Sequence, residues 1–313
     1  MLQLSPKPEI EYSVVVPVFN GAITVEELFS RIKQVFDELQ AGFEVIFVED
    51  CGTDDSWQKI IQLKKNFPKH IVAIQLIKNY GQHNATLCGC KYAKGNIIIT
   101  IDDDLQTPPE EIKKLIQCRH QTQADVVYGS YPIKKHAIIK RIGSYIVRKT
   151  FKLGAGTHNE GSSFRLISRK VIANIILHTH NFIYIDELLQ WYTSKIAATP
   201  VEHQKRKKGT SGYPLFKLIF FTLDLIINYT AIPLRLMTYG GLLFAFSFFC
   251  VGLYYIYGNM VWGFQLGFTS LITAIFFTTG IILFCLGIIG EYLRRIYMGQ
   301  NQKPQYAIRT LLP

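Results

Sequence analysis

Asp102, Asp103 and Asp104 stand in a row after the β-branched run Asn96–Ile101 and before Leu105-Gln106-Thr107-Pro108-Pro109. Three adjacent carboxylates repel one another unless a cation intervenes. At a strand end, the first and third face one side and the second faces away. Asp102 and Asp104 can then share an ion, with Gln106 in support, while Asp103 points away. Oxygen ligands of this kind suit Mg²⁺ or Mn²⁺, which bridge readily to phosphate oxygens. The competing reading is a solvated acidic turn that caps the helix opening at Pro109. Two further strand ends tip the balance. Val16-Pro17-Val18-Phe19-Asn20-Gly21 closes the first strand, and Val48-Glu49-Asp50-Cys51-Gly52-Thr53-Asp54-Asp55-Ser56 closes the second. Glu49 and Asp50 offer acceptors to a base or ribose, and Phe19 offers a ring to pack on a base. Each alone is equally an ordinary helix N-terminus with Asp and Ser caps. Three such ends on one sheet edge make a site of nucleotide size.

The elements that must hold these residues alternate in period. Short apolar runs at Tyr12–Pro17, Phe43–Val48, Ile71–Ile77, Asn96–Ile101 and Asp125–Gly129 read as strands. Between them, Val25–Leu39, Ser56–Asn66, Asn84–Ala93 and Pro109–Gln121 read as helices, the last opened by Pro in its first turn. Near-continuous apolar strands separated by helices predict an α/β domain with a mostly parallel sheet covered on both faces. Ligands of such sheets bind beyond the carboxyl ends of the strands, where the aspartate triplet lies.

The chain has 313 residues and a formal charge of +11, yet only 18% of its residues are charged, below the roughly 25% of an average soluble domain. Residues 236–290 contain no Asp, Glu, Lys, Arg or His. About 20 apolar residues cross a bilayer, so this stretch holds two crossings, placed at Leu236–Tyr257 and Phe268–Ile289, with Asn259, Gly263 and Gln265 marking the turn. The competing reading is a buried helical hairpin, which rarely lacks every charge for so long. Arg235 precedes the first span, Arg294 and Arg295 follow the second, and the connection carries no cation. The positive-inside rule puts both ends in the cytosol. Gly240, Gly241, Gly280, Gly287 and Gly290 predict close helix packing and a homo-oligomer. The expected organisation is a cytosolic domain over 1–212, interfacial helices over 213–235, two transmembrane helices over 236–292, and a cytosolic tail over 293–313. Lys and Arg alternate with apolar residues over 133–155, a pattern suited to an anionic membrane face. Of the six cysteines, Cys51, Cys88, Cys90 and Cys118 fall in the cytosolic part and are expected to be reduced thiols.

Specific strings carry a resemblance. V-V-V-P-V-F-N, E-D-C-G-T-D-D-S, N-Y-G-Q-H-N-A, D-D-D-L-Q-T-P-P-E-E-I, S-S-F-R-L-I-S-R and His203-x-x-Arg206-x-x-Gly209-x-Ser211-x-Tyr213 resemble the family-2 glycosyltransferases of GT-A fold. More narrowly they resemble polyprenyl-phosphate glycosyltransferases: dolichyl-phosphate mannose synthases, bacterial glucosyl carriers and undecaprenyl-phosphate aminoarabinose transferases. The resemblance covers nearly the whole chain. It implies a nucleoside-diphosphate sugar as donor, UDP-hexose first, polyprenyl phosphate as acceptor, the bilayer as partner, and a multi-pass protein of the cytoplasmic membrane.

It also implies roles. Asp50 would contact the base, with Pro17, Phe19, Asn20 and Glu49 around it and Asn79 and Gly81 in the turn nearby. Asp102 and Asp104 would flank the metal and the donor diphosphate, with Gln106 supporting and Asp103 among the nucleotide-binding residues. Arg206 and Ser211 would close over the phosphates. Two departures stand out: Cys51 replaces a common Gly, and Glu160 is the one acid in the window 158–163 where members often carry Asp. Asp104, Glu160 and Arg206 are the expected catalytic residues. Arg141, Arg148, Arg165 and Ser211 are expected at the acceptor phosphate, because the arginine fork suits phosphate.

A lipid monophosphate is mostly dianionic at neutral pH, its second pKa lying near ~6, so the nucleophile needs little deprotonation and Glu160 need only orient it. In-line attack would invert the anomeric centre. A processive polysaccharide synthase is disfavoured by the missing Q-x-x-R-W motif. A non-enzymatic membrane scaffold would have no use for Asp102, Asp104, Gln106, Arg206 and Ser211 together. A nucleic-acid binder is weakest, because the basic runs adjoin membrane segments and lack stacking aromatics.

Overall fold

The computed structural model describes residues 10–131, 162–178, 185–204, 232–262, 267–300 and 304–313. They fall into two compact units, one holding the sheet and residues 302–313, the other the long helix pair.

The first unit is an eight-stranded sheet. Its strands are β1 (Tyr12–Val18), β2 (Phe43–Glu49), β3 (Ile71–Leu76), β4 (Ile97–Thr100), β5 (Val126–Ser130), β6 (Arg165–Ser168), β7 (Ile196–Pro200) and β8 (Ile308–Leu312). The order across the sheet is β7-β5-β6-β4-β1-β2-β3-β8. β1, β2, β3 and β4 pair parallel, as do β5 and β7, whereas β6 and β8 run antiparallel to their neighbours. Every residue of β1, β2 and β4 is buried, the mark of strands covered on both faces.

The covering helices are α1 (Val25–Leu39), α2 (Ser56–Asn66), α3 (Gln82–Tyr92), α4 (Ile112–Thr122), α5 (Arg169–Ile175) and α6 (Ile185–Tyr192). α1 buries Leu28, Phe29, Ile32, Val35 and Phe36, a stripe at three- and four-residue spacing. Full burial of one such side chain contributes roughly 1.5–3 kcal/mol. α1 ends at Gln40, whose left-handed φ of 50° stops the helix. The two faces of the sheet carry separate cores. Val14, Val16, Phe29, Phe36 and Phe47 belong to one, and Val15, Ile46, Val48, Cys88 and Ile98 to the other. Neighbouring β1 residues thus enter opposite cores, as strand alternation requires.

The expected elements recur with small shifts. α3 starts at Gln82 rather than Asn84, and the stretch from Pro109 divides into a 3₁₀ turn, Pro109–Glu111, followed by α4. β6, α5, α6, β7 and β8 are additions. Residues 308–312, read from sequence as part of a tail, are the edge strand beside β3.

The second unit pairs α7 (Ile232–Trp262) with α8 (Phe268–Gln300). Both are long and apolar enough to cross a membrane, over Met237–Tyr254 and Ala274–Arg294. Asn259, expected in the turn, lies inside α7. Phe244 stacks on Phe248 in its own helix and meets Phe277 of α8 at 6.2 Å. The glycines expected to admit a close neighbour face open space, with nothing within 4 Å of an added Cβ at Gly240, Gly241, Gly280, Gly287 or Gly290. The basic stretch 133–155 and the interfacial segment 215–229 lie outside the described residues.

Candidate active site

The parallel strands part between β1 and β4. Their pairing ends at Val15–Thr100, and the chain leaves the two strands in opposite directions across the sheet. Such a switch point opens a crevice beyond the carboxyl ends. Pro17 sits just past that last pair. Its missing N–H leaves no donor unsatisfied on that side.

Asp103 bridges the crevice. Its Oδ2 accepts the Phe19 N–H at 3.2 Å, and a Cβ at Gly21 would stand 2.3 Å from the same oxygen, so a side chain at 21 would displace the Asp103 carboxylate. Burial, and then the like charges of Asp102 and Asp104, push the Asp103 carboxyl up to about 7 against the pull of the Phe19 amide. Asp102 is gripped from two sides. Gln82 Nε2 donates to Oδ1 at 2.5 Å and Ser163 Oγ to Oδ2 at 2.6 Å. Thr100 Oγ1 in turn holds the Ser163 carbonyl at 2.5 Å. Asp104 Oδ1 accepts the Gln106 N–H at 3.0 Å, and the Gln106 carbonyl accepts the Gln204 N–H at 2.8 Å. His203 lies 4.5 Å from the Tyr131 ring, whose hydroxyl meets Thr107 Oγ1 at 2.8 Å. The segment leaving β7 is therefore laid against the aspartate loop.

The other rims interlock. Asn20 Oδ1 accepts the Thr53 N–H at 2.8 Å, Asp54 accepts the Ala22 N–H at 2.9 Å, and Ser56 Oγ accepts the Gly21 N–H at 2.9 Å. Asp50 accepts the Tyr80 and Gly81 N–H groups at 2.7 and 2.8 Å, one on each oxygen. Burial raises its carboxyl above the ordinary range, partly offset by those two amides. Glu49 is 2% exposed; Oε1 accepts the Gly52 N–H, and Oε2 is buried without a hydrogen-bond partner among the described residues. Asn79 Oδ1 accepts the Gly81 N–H at 3.0 Å. Phe19 is 49% exposed at the mouth.

Residues 13–189 match glycosyl transferase family 2, and residues 232–296 match the GtrB C-terminal hairpin. The chain belongs to glycosyl transferase family 2. It is 31% identical to the undecaprenyl-phosphate 4-deoxy-4-formamido-L-arabinose transferase of Shewanella sediminis, over 96% of this chain and 92% of the relative. It is also 31% identical to the protein of that name from Photorhabdus laumondii, over 96% and 94%. Among solved structures, a glucosyl-3-phosphoglycerate synthase from Mycobacterium tuberculosis aligns with a TM-score of 0.49 and 18% identity, over 70% of this chain and 78% of that one. The doubly covered, mostly parallel sheet of this glycosyl transferase is of GT-A type.

In this family member, Pro17, Phe19, Asn20, Glu49, Asp50, Asn79, Gly81, Asp102, Asp103, Asp104 and Gln106 all gather at one rim. The sequence reading missed Gln82 and Ser163, which lie in the N-Y-G-Q-H and S-S-F-R strings. Arg165 is placed elsewhere. It is 3% exposed on β6, and its Nη1 pairs with Asp186 of α6 at 2.6 Å. Expected at an acceptor phosphate, it holds an interior ion pair, and its Nε is buried without a hydrogen-bond partner among the described residues. Beside it, burial and the Arg165 charge depress the His83 imidazole to about 4, against Asp186. Arg141, Arg148, Glu160, Arg206 and Ser211 lie outside the described residues.

The rim suits a hard divalent cation in its chemistry. Its donors are all oxygen, and burial, with the two neighbouring carboxylates adding to it, raises the middle one of three adjacent acids. Among the described residues no group of three or more His, Cys, Asp or Glu is set to hold a metal. The protein would thus supply one or two carboxylates and leave the remaining positions to diphosphate and water, the usual arrangement for Mg²⁺ beside phosphates.

Proposed function

We propose that this chain transfers a sugar from a nucleoside diphosphate to polyprenyl phosphate at the cytoplasmic face of the membrane, inverting the anomeric centre. The observation that carries the reading is the acidic rim at the β1–β4 switch point in a chain that continues into two apolar helices. The names of the relatives favour undecaprenyl phosphate as acceptor and a 4-deoxy-4-formamido-L-arabinose donor over the UDP-hexose that leads in the sequence reading.

Asp104 and Asp102 would hold Mg²⁺ or Mn²⁺ at the donor diphosphate, supported by Gln106. When bound, the ion offsets charge developing on the leaving nucleoside diphosphate. Phe19 would pack on the base. Asp50 and Glu49 would act mainly by fixing the turns that line the pocket, since Asp50 already serves two amides. Asp103 ties the base side to the diphosphate side. The acceptor arrives already charged, so Glu160 would orient it, while Arg206 and Ser211 close over the phosphates and Arg141 and Arg148 attract them.

Membrane orientation rests on two supports. Arg235, Arg294 and Arg295 flank the uncharged stretch 236–290, and the chain that leaves the sheet after β7 returns to it as β8, which needs an even number of crossings.

The test is a donor screen with undecaprenyl phosphate in detergent, following nucleoside diphosphate release. Turnover with the formamido-arabinose donor and not with UDP-glucose is expected, and turnover with neither would refute the reading. Asp104→Asn should lower transfer by at least about a hundredfold, the scale of a lost electrostatic contact to the transition state, with an unchanged melting temperature. EDTA should stop turnover and Mg²⁺ or Mn²⁺ restore it.

A further inference from the structure

After the helix pair the chain comes back to the sheet. β8 takes the edge of β3 with Leu312 opposite Ala73, Leu311 opposite Ile74 and Thr310 opposite Gln75, and the register then shifts before Leu76 meets Ile308. That irregularity sets Arg309 beside the end of β3. Here the tail reaches past the ladder. The Ile77 N–H donates to the Ala307 carbonyl at 2.9 Å, and Arg309 Nη2 donates to the Ile77 carbonyl at 3.0 Å. At the far end, Lys64 Nζ donates to the Pro313 carbonyl at 2.6 Å while also serving the Pro68 and Ile71 carbonyls. Tyr306 and Ile308 pack on the core beneath α3.

Ile77 opens the loop that carries Asn79, Tyr80, Gly81 and Gln82. Its own side chain is 47% exposed, so much of the hold on this residue falls to the tail's two bonds, one from the Ala307 main chain and one from the Arg309 side chain. From the opposite side the loop is held by Asp50, and its last residue, Gln82, donates to Asp102. A strand that merely covered a sheet edge would stop at the ladder.

We propose that the C-terminal strand belongs to the donor site: it fixes the loop 77–82, and Arg309 is a positioning residue acting through the Ile77 carbonyl. The role in catalysis rests on the donor reading above; the hold on the loop does not.

The test uses the full-length protein in detergent, with Arg309→Ala, Arg309→Lys and a deletion of residues 309–313. Two quantities are read: amide hydrogen exchange over 77–82, and KM for donor and acceptor separately. Arg309→Ala should speed exchange over 77–82 by roughly fivefold, the size of one net hydrogen bond. Exchange in β1 and β4 should stay unchanged. Donor KM should rise by a similar factor while acceptor KM holds, and Arg309→Lys should recover most of both effects. The deletion should do more, and a synthetic peptide of residues 304–313, added in trans, should reverse it by strand addition. Unchanged exchange over 77–82 in both Arg309→Ala and the deletion would overturn the proposal. So would acceleration spread equally through β1 and β4, or donor and acceptor KM rising together. If the wild-type protein transfers no sugar, the donor reading fails, and exchange over 77–82 still decides whether the strand holds the loop.

Discussion

Asn20, Cys51 and Leu105 share an unusual conformation: their φ angles are 56°, 56° and 57°, and Gly81 follows at 85°. One of these residues stands after each of β1, β2, β3 and β4. Left-handed backbone costs a residue with a Cβ roughly 1–2 kcal/mol. The surrounding hydrogen bonds hold the rim in that shape, as strain at functional sites requires. Cys51→Gly should therefore stabilise the protein by roughly 0.5–1 kcal/mol after the glycine's extra unfolded-state freedom is deducted, read as a rise in melting temperature; a fall would show that the thiol packs usefully. The cysteine standing where the family resemblance leads one to expect glycine marked this position in the sequence without giving its conformation. The grip of Gln82 and Ser163 on Asp102 was not legible, because those partners lie 20 and 61 residues away and only the folded sheet brings them together. Glu187 gives a second test. Burial alone lifts its carboxyl to about 7, and its Oε2 has no hydrogen-bond partner among the described residues. A raised acid favours the folded state at low pH and loses that contribution as pH climbs from the ordinary carboxylate range through 7. Glu187→Gln should thus gain melting temperature over wild type at pH 8 and lose that advantage at pH 5; an equal difference at both would contradict the assignment.

The strand–helix alternation of residues 12–130 was readable because each apolar run is long enough to show its period. β6 was hidden for physical reasons: it has four residues and opens on Arg165. α6 places Asp186 among its buried residues, a charge that sequence patterning assigns to solvent. The two oddities explain each other, since the charges pair. A broken buried pair leaves one ion uncompensated, at a cost of about 3–5 kcal/mol. Asp186→Ala should cost on that order in chemical denaturation, while the double variant Arg165→Met with Asp186→Leu should cost much less. A double variant as unstable as the single would show that the pair does more than neutralise itself. β8 escaped detection because an edge strand pairs on one side only, and its partner β3 lies more than 200 residues back in the chain.

For the whole molecule, the charge of +11 and the bare apolar run at 236–290 separate a basic catalytic unit from a helix pair long and apolar enough to cross a membrane. Gln265→Cys should react with a membrane-impermeant maleimide in intact cells, whereas a cysteine placed at Gln302 should react only after lysis. The reverse pattern would invert the orientation. The position of β8 adds a constraint of timing. The ribosome delivers that strand only after both apolar helices have emerged, so β3 waits with one flank bare until then. Completion of the sheet is thereby placed after synthesis of the helix pair: an arrested chain ending at Gln300 should be cut by protease near Ile71–Leu76 far faster than one that runs through Leu312, and under the proposed membrane reading the sheet would close only once the hairpin is available for insertion.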